Sequence, residues 1–193
     1  MNPAKILAKN EYDEMQISLE NANILFKLTF GLSTTFWPKT DSPEIHYPAT
    51  FSWGEHSVSQ AELRLTREQE DYGFAILEHC STYLCAIQIH TTLDSLRGDN
   101  KFPEQEREDS FQIARQIRNA FAHDPFNPRW DIKPQFNNKK YEIPGIIFLD
   151  TTGLDGKAVN RRDYGGPLAI LRFIEYTQGV LDQSFKQQSG TGS

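Results

Sequence analysis

The stretch Thr66–His123 constrains the fold of this chain more than any other. It reads as two long amphipathic helices separated by a single turn. Thr66-x-x-Gln69 forms a capping box, in which each side chain satisfies an orphan backbone N–H of the other residue, so a helix starts at Arg67. Ile76, Leu77, Cys80, Tyr83, Leu84, Ile87 and Leu93 then recur at helical spacing to about Leu96. Gly98, Asp99, Asn100 and Pro103 break the pattern between 98 and 104. The second helix covers about Glu106–His123 and carries Phe111, Ala114, Ile117 and Phe121 on its apolar side. It stops at Asp124-Pro125, because a proline pushes the residue before it out of the helical region.

The flanks complete the pattern. A first helix is predicted over residues 11–31, where Ile17, Asn21, Ile24, Leu25, Leu28 and Leu32 recur at three- and four-residue spacing and Gly31 is an end signal. Pro38, Pro43 and Pro48 make Ser33–Ser57 a loop, with a short strand at Thr50–Trp53. Its aromatics Phe36, Trp37, Tyr47, Phe51 and Trp53 are expected to cover the helices. The region 129–160 changes character: Arg129–Lys133 and Ile146–Leu149 read as strands, with turns at Gly145, Gly153 and Asp155-Gly156. A last helix begins at Pro167, a good first helical residue, takes its phase from Leu168, Leu171, Ile174, Glu175 and Gln178, and ends near Phe185. The expected fold is mainly α: a bundle of about four helices with a small β-hairpin or meander inserted before the last. It forms one domain over 1–186, followed by a disordered tail at 187–193.

Composition narrows the function. A formal charge of −6 over 193 residues excludes a protein that clings to nucleic acid by bulk charge. The charge is uneven, however: residues 107–162 hold ten Lys/Arg against seven Asp/Glu, which permits a local phosphate site on an acidic body. Cys80 and Cys85, five apart on one helix, point about 140° apart and cannot bond to each other. With no disulfide framework, no signal-like N-terminus and no run of about 20 apolar residues, the reading is a cytoplasmic protein that does not enter membranes.

Three chemistries can be set aside on sequence grounds. Phe148–Gly156 (FLDTTGLDG) pairs a strand with Asp-Thr-x-Gly as nucleotide hydrolases do, but the Gly-rich Lys-Ser/Thr loop those proteins need is missing, and Asp155-Gly156 explains the stretch as a turn. His79, His90 and Asp94 invite a metal, but a spacing of eleven between the histidines matches no familiar zinc site, and they read as a polar seam between helices, with a contribution to an active-site rim as the alternative. There is no Gly-x-Ser-x-Gly elbow.

What remains is Arg118-Asn119-Ala120-Phe121-Ala122-His123. On a helix, Arg115, Asn119 and His123 share one stripe, with Arg118 beside it. His123 sits in the last turn, where the helix dipole favours a protonated imidazole. A planar, permanently charged guanidinium suits a phosphate, and an imidazole near neutrality suits proton transfer. These are the parts for cleaving an RNA backbone without a metal or other cofactor; the plainer reading of the same residues is a helix end with a solvated Arg and a His satisfied by the dipole.

This hexapeptide resembles the Arg-polar-x3-His signature of HEPN domains, compact and often dimeric helical bundles. Many are metal-independent ribonucleases of toxin–antitoxin, phage-defence and CRISPR-associated systems. The resemblance covers six residues closely and the helices at 11–31, 67–123 and 167–185 loosely. It implies catalytic roles for Arg118, Asn119 and His123, an RNA substrate, a homodimer whose motif helices build one composite site, and a possible antitoxin or regulatory partner protein. The inserted strands and the aromatic loop depart from the pattern, and some members of the family only bind, so the alternative is a non-catalytic module that holds a partner protein or a nucleotide. Arg115 and Arg129 are expected to add phosphate contacts, and Lys139, Lys140, Arg161 and Arg162 either track an RNA backbone or are simply solvated.

Overall fold

The computed structural model describes residues 7–36, 45–98 and 101–190; Trp37, Asp99, Asn100 and residues 191–193 lie outside them. The fold is mainly α. Helix α1 spans Lys9–Phe36, α3 Arg67–Arg97, α4 Gln105–Ala122 and α5 Pro167–Gly190, with a four-residue α2 at Gln60–Leu63. Two antiparallel hairpins accompany them: β1 (Thr50–Trp53) with β2 (His56–Ser59), and β3 (Lys140–Ile143) with β4 (Ile147–Asp150).

The cap at Thr66 forms as its sequence requires: its hydroxyl accepts from Gln69 N at 3.3 Å, and Thr66 N donates to Gln69 Oε1 at 2.9 Å. α3 is the central pillar, packing against α1, α4 and α5, while α1 also lies on α5 and the β3–β4 hairpin lies on α4. Leu19, Ile89, Leu93, Ile113, Ile117, Leu149, Ile170 and Ile174 are sealed completely, with Trp130, Phe121 and Phe173 beside them. Burial of such side chains contributes roughly 1.5–3 kcal/mol each.

Several expectations need correction. The stripe Ile17–Leu32 does not face the core. α1 is apolar on two sides, and the packed side is Leu19, Ala22, Phe26, Thr29 and Ser33, while Ile17, Ile24, Leu25, Leu28 and Leu32 face solvent. α3 differs from its predicted phase in part: it buries Glu78, Ser81, Thr82, Cys85, Ala86, Ile89, His90 and Leu93, and of its predicted stripe exposes Leu77 and Leu84 while Tyr83 packs against the core. Gly31 does not end α1; beyond it Ser33 is anchored by donating to Glu78 at 3.3 Å. α5 likewise continues past Phe185 into the predicted tail, where Gln188 accepts a bond from Leu7 N at 2.8 Å and Phe185 stacks on Tyr12.

Thr50–Trp53 is a strand as predicted, but it pairs with the unpredicted β2, and Phe51 and Trp53 stand exposed rather than covering helices. Arg129–Lys133 is not a strand. Arg129 makes one isolated bridge to Ala158, and the Asp155 carboxylate takes the Ile132 N–H that a neighbouring strand would have used. Pro134 then opens a 3-10 turn to Phe136. The Asp150–Gly156 segment is a strand end followed by a turn, with Gly153 and Gly156 at positive φ of 64° and 73°. Among the described residues no helix is long and apolar enough to cross a membrane. Both cysteines are free thiols. Burial pushes Cys85 up to about 12, and it donates to Ala22 O at 3.5 Å.

Candidate functional site

Helix α4 has two chemically different ends. At its start Glu108 is buried and saturated: it accepts from Arg97 at 2.9 and 3.2 Å, from Phe102 N at 3.2 Å and from Gln112 at 2.8 Å. Asp109 accepts from the backbone of β3 at Glu142 N, 3.1 Å, and so ties the hairpin to the helix.

The C-terminal end carries the predicted motif. The helix closes at Ala122, with His123 as its cap residue still in the αR region. Pro125 forbids continuation. The Asp124 carboxylate accepts from Phe126 N at 3.0 Å and Asn127 N at 3.1 Å, turning the chain so that Arg129 N reaches back to Ala120 O at 3.1 Å. This return is what places residues 129–133 beside the helix end.

The structure brings Arg118 and Asn119 together. The half-buried Arg118 guanidinium donates to Asn119 Oδ1 through Nε at 3.2 Å and NH2 at 2.8 Å. Its third contact is His90 Nδ1 on α3, at 3.4 Å from NH1. His90 is buried and packs its ring 5.0 Å from that of Phe111. Burial first, and then the charge of Arg118, push His90 down to about 4, although Asp94 pulls the other way. The imidazole is therefore neutral at pH 7 and acts toward the guanidinium as an acceptor. Among the described residues no carboxylate comes within ion-pair distance of Arg118, whereas Arg97, Arg161 and Arg172 meet Glu108, Glu78 and Glu175 at 2.9, 2.7 and 2.7 Å.

His123 is not part of that cluster. Its side chain is 85% exposed, and its nearest charged group is Asp131 at 3.8 Å, a carboxylate also held by Lys133. Arg115 lies with its guanidinium 4.6 Å from the Phe136 ring centre, a cation–π contact. Arg129 donates to Gly156 O at 3.1 Å and does not stack on Trp130, whose indole is buried and donates to Asp163 at 2.8 Å. Arg161 is committed to the buried Glu78 rather than free for a ligand, and Lys140 pairs with Asp150 at 3.4 Å. On the α3 side, His79 and Tyr83 pack against Phe121 of α4, and burial lowers His79 below its ordinary value. The histidine seam thus lies between two helices.

Two participants were not legible as such. His90 stood out as a member of that seam, with an active-site rim as the alternative, but nothing local in the sequence ties it to Arg118, 28 residues later. Asp131 meets His123 only because the Asp124–Pro128 return folds it back. Compared with models of protein families, with curated proteins and with solved structures, the chain matches none.

Proposed function

We propose that the C-terminal end of α4 is a metal-independent ribonuclease site of the HEPN kind. Arg118 holds the scissile phosphate, Asn119 orients the guanidinium, and His123 transfers the proton. The 2′-hydroxyl gives its proton to neutral His123 and its oxygen attacks phosphorus. The bond to the 5′-oxygen breaks, and that oxygen takes the proton back from the imidazolium, leaving a 2′,3′-cyclic phosphate. Arg115 and Arg129 lie on the same end of α4 and its return, and extend positive charge to the flanking phosphates.

One observation carries this reading. Arg118 is half-buried, hydrogen-bonded to neutral acceptors, and without a carboxylate partner among the described residues. A guanidinium fixed in direction but not neutralised is prepared for an anion. A second reading rests on His123, which is turned toward Asp131 and makes no bond to Arg118 or Asn119: the end of α4 binds the RNA backbone and does not cut it.

The test uses the full chain and a panel of structured and unstructured RNAs in EDTA. Cleavage with a 2′,3′-cyclic terminus that His123→Ala abolishes while the fold survives supports the enzyme. Binding that Arg118→Ala removes, with every RNA left intact, supports the second reading. Neither cleavage nor Arg118-dependent binding overturns both.

A further inference from the structure

The outward face of α1 is the largest feature that the Arg118 site leaves unexplained. Ile17, Ile24 and Leu28 are 60%, 55% and 59% exposed, on a helix whose opposite face already fills the core. With Asn21 they follow alternating four- and three-residue steps, the seam pattern of a short coiled coil. Leu25 extends this seam into a groove of about 220 Å³ between α1 and α3, bounded by Leu84 and Gln88. A contiguous apolar strip of this kind on a surface marks an interface.

We infer that this face binds a second copy of the chain, α1 against α1 in antiparallel sense across a two-fold axis. The charges at the edge of the seam select that arrangement. Glu20 and Lys27 lie seven residues apart on the same flank, both exposed. Among the described residues Lys27 has no ion pair, and Glu20 accepts only from Gln178 at 3.3 Å. When Ile17 packs against the partner's Leu28, and Leu28 against the partner's Ile17, each Glu20 meets the partner's Lys27 on the flank. A shift of one heptad brings Lys27 against the partner's Lys27 instead, which costs energy. In this register Asn21 lies opposite the partner's Ile24, a polar position in an otherwise apolar seam that lowers the stability of the pairing.

This face does not overlap the proposed RNA site. α3 meets α1 at Cys85 and α4 at His90, positions about 140° apart around its axis. It also differs from the pairing through motif helices that the HEPN resemblance implies.

Analytical ultracentrifugation of the full chain at micromolar concentration tests the inference. The wild type is expected to sediment as a dimer, and Ile24→Glu and Leu28→Glu as monomers with unchanged circular dichroism, since neither side chain reaches the core. Glu20→Lys and Lys27→Glu are each expected to weaken the dimer about tenfold, and the double exchange to restore it. A monomeric wild type, a dimer indifferent to Ile24→Glu, or a double exchange that fails to recover would each overturn the proposal. RNA cleavage or binding is read separately, so failure here is distinguishable from failure of the ribonuclease reading.

Discussion

Two arginines meet the α3–α4 interface in opposite ways. Arg97 ends α3 and closes on Glu108 with two hydrogen bonds, its guanidinium also 4.4 Å from the Phe111 ring centre. Arg118, near the end of α4, touches Asn119 and His90, both uncharged. His90 packs on the same Phe111 ring that Arg97 covers, so the two guanidinium groups share one stretch of interface. The first arginine is compensated and holds two helices together. The second is held in place and left charged. Burial depth does not separate them; the charge of the partner does.

Exchanging each for alanine is the sharpest way to break this comparison. Arg118→Ala is expected to lower RNA cleavage by about 10²–10³-fold, the cost of removing one preorganised stabilising donor, while thermal stability barely changes. Arg97→Ala is expected to do the reverse: it leaves Glu108 buried without its counter-charge, at roughly 2–4 kcal/mol, with cleavage per folded molecule retained. Paired melting curves and single-turnover cleavage assays read both. If Arg118→Ala unfolds the protein and Arg97→Ala does not, the assignment of roles is backwards.

Acid should weaken the Arg118 side selectively. His90 is depressed to about 4 by burial and by Arg118, against an ordinary value of 6.5. The folded state thus favours the neutral ring. Its stabilising contribution is complete above about pH 6.5 and is lost as pH falls toward 4, because the unfolded chain binds the proton first. The loss is about 2 kcal/mol once solvent access to the ring is allowed for. His79 is lowered in the same sense and adds to it. Denaturant midpoints at pH 7 and pH 4.5 measure this, and His90→Asn should flatten much of the difference. An unchanged pH slope in that variant would remove His90 as the cause.

The contrast also shows what the sequence could carry. Thr66, Pro103 and Pro167 placed helix ends well because caps and prolines act within a few residues of themselves. Helix phase was harder. The apolar stripe of α1 faces outward, and α3 exposes Leu77 and Leu84 of its stripe while it buries Leu93 together with Glu78, Ser81, Thr82 and His90. Hydrophobic period predicts a packed face only when a helix has a single apolar side, and α1 has two. β3 was readable in principle: Tyr141 and Ile143 are buried between exposed Lys140 and Glu142, a clean alternation. In the candidate site, Arg118-Asn119 was legible as a motif. The neutrality of its surroundings was not, because it depends on His90 arriving from another helix.

The smallest expected effect tests that neutrality directly. If Arg118 is available to an anion because His90 offers a lone pair rather than a charge, then a carboxylate at position 90 should compete with phosphate. His90→Asp is expected to lower affinity for a single-stranded RNA about tenfold, by pairing the guanidinium internally. His90→Asn, which keeps a neutral acceptor, should stay within about twofold of wild type. Fluorescence anisotropy at several salt concentrations separates the cases. Losing one phosphate contact also shallows the salt dependence of binding, by a slope of about 0.7 for a single strand. Equal affinities for the aspartate and asparagine variants would show that the charge of Arg118 is not what the ligand meets. The distinction between the two arginines would then be one of packing alone.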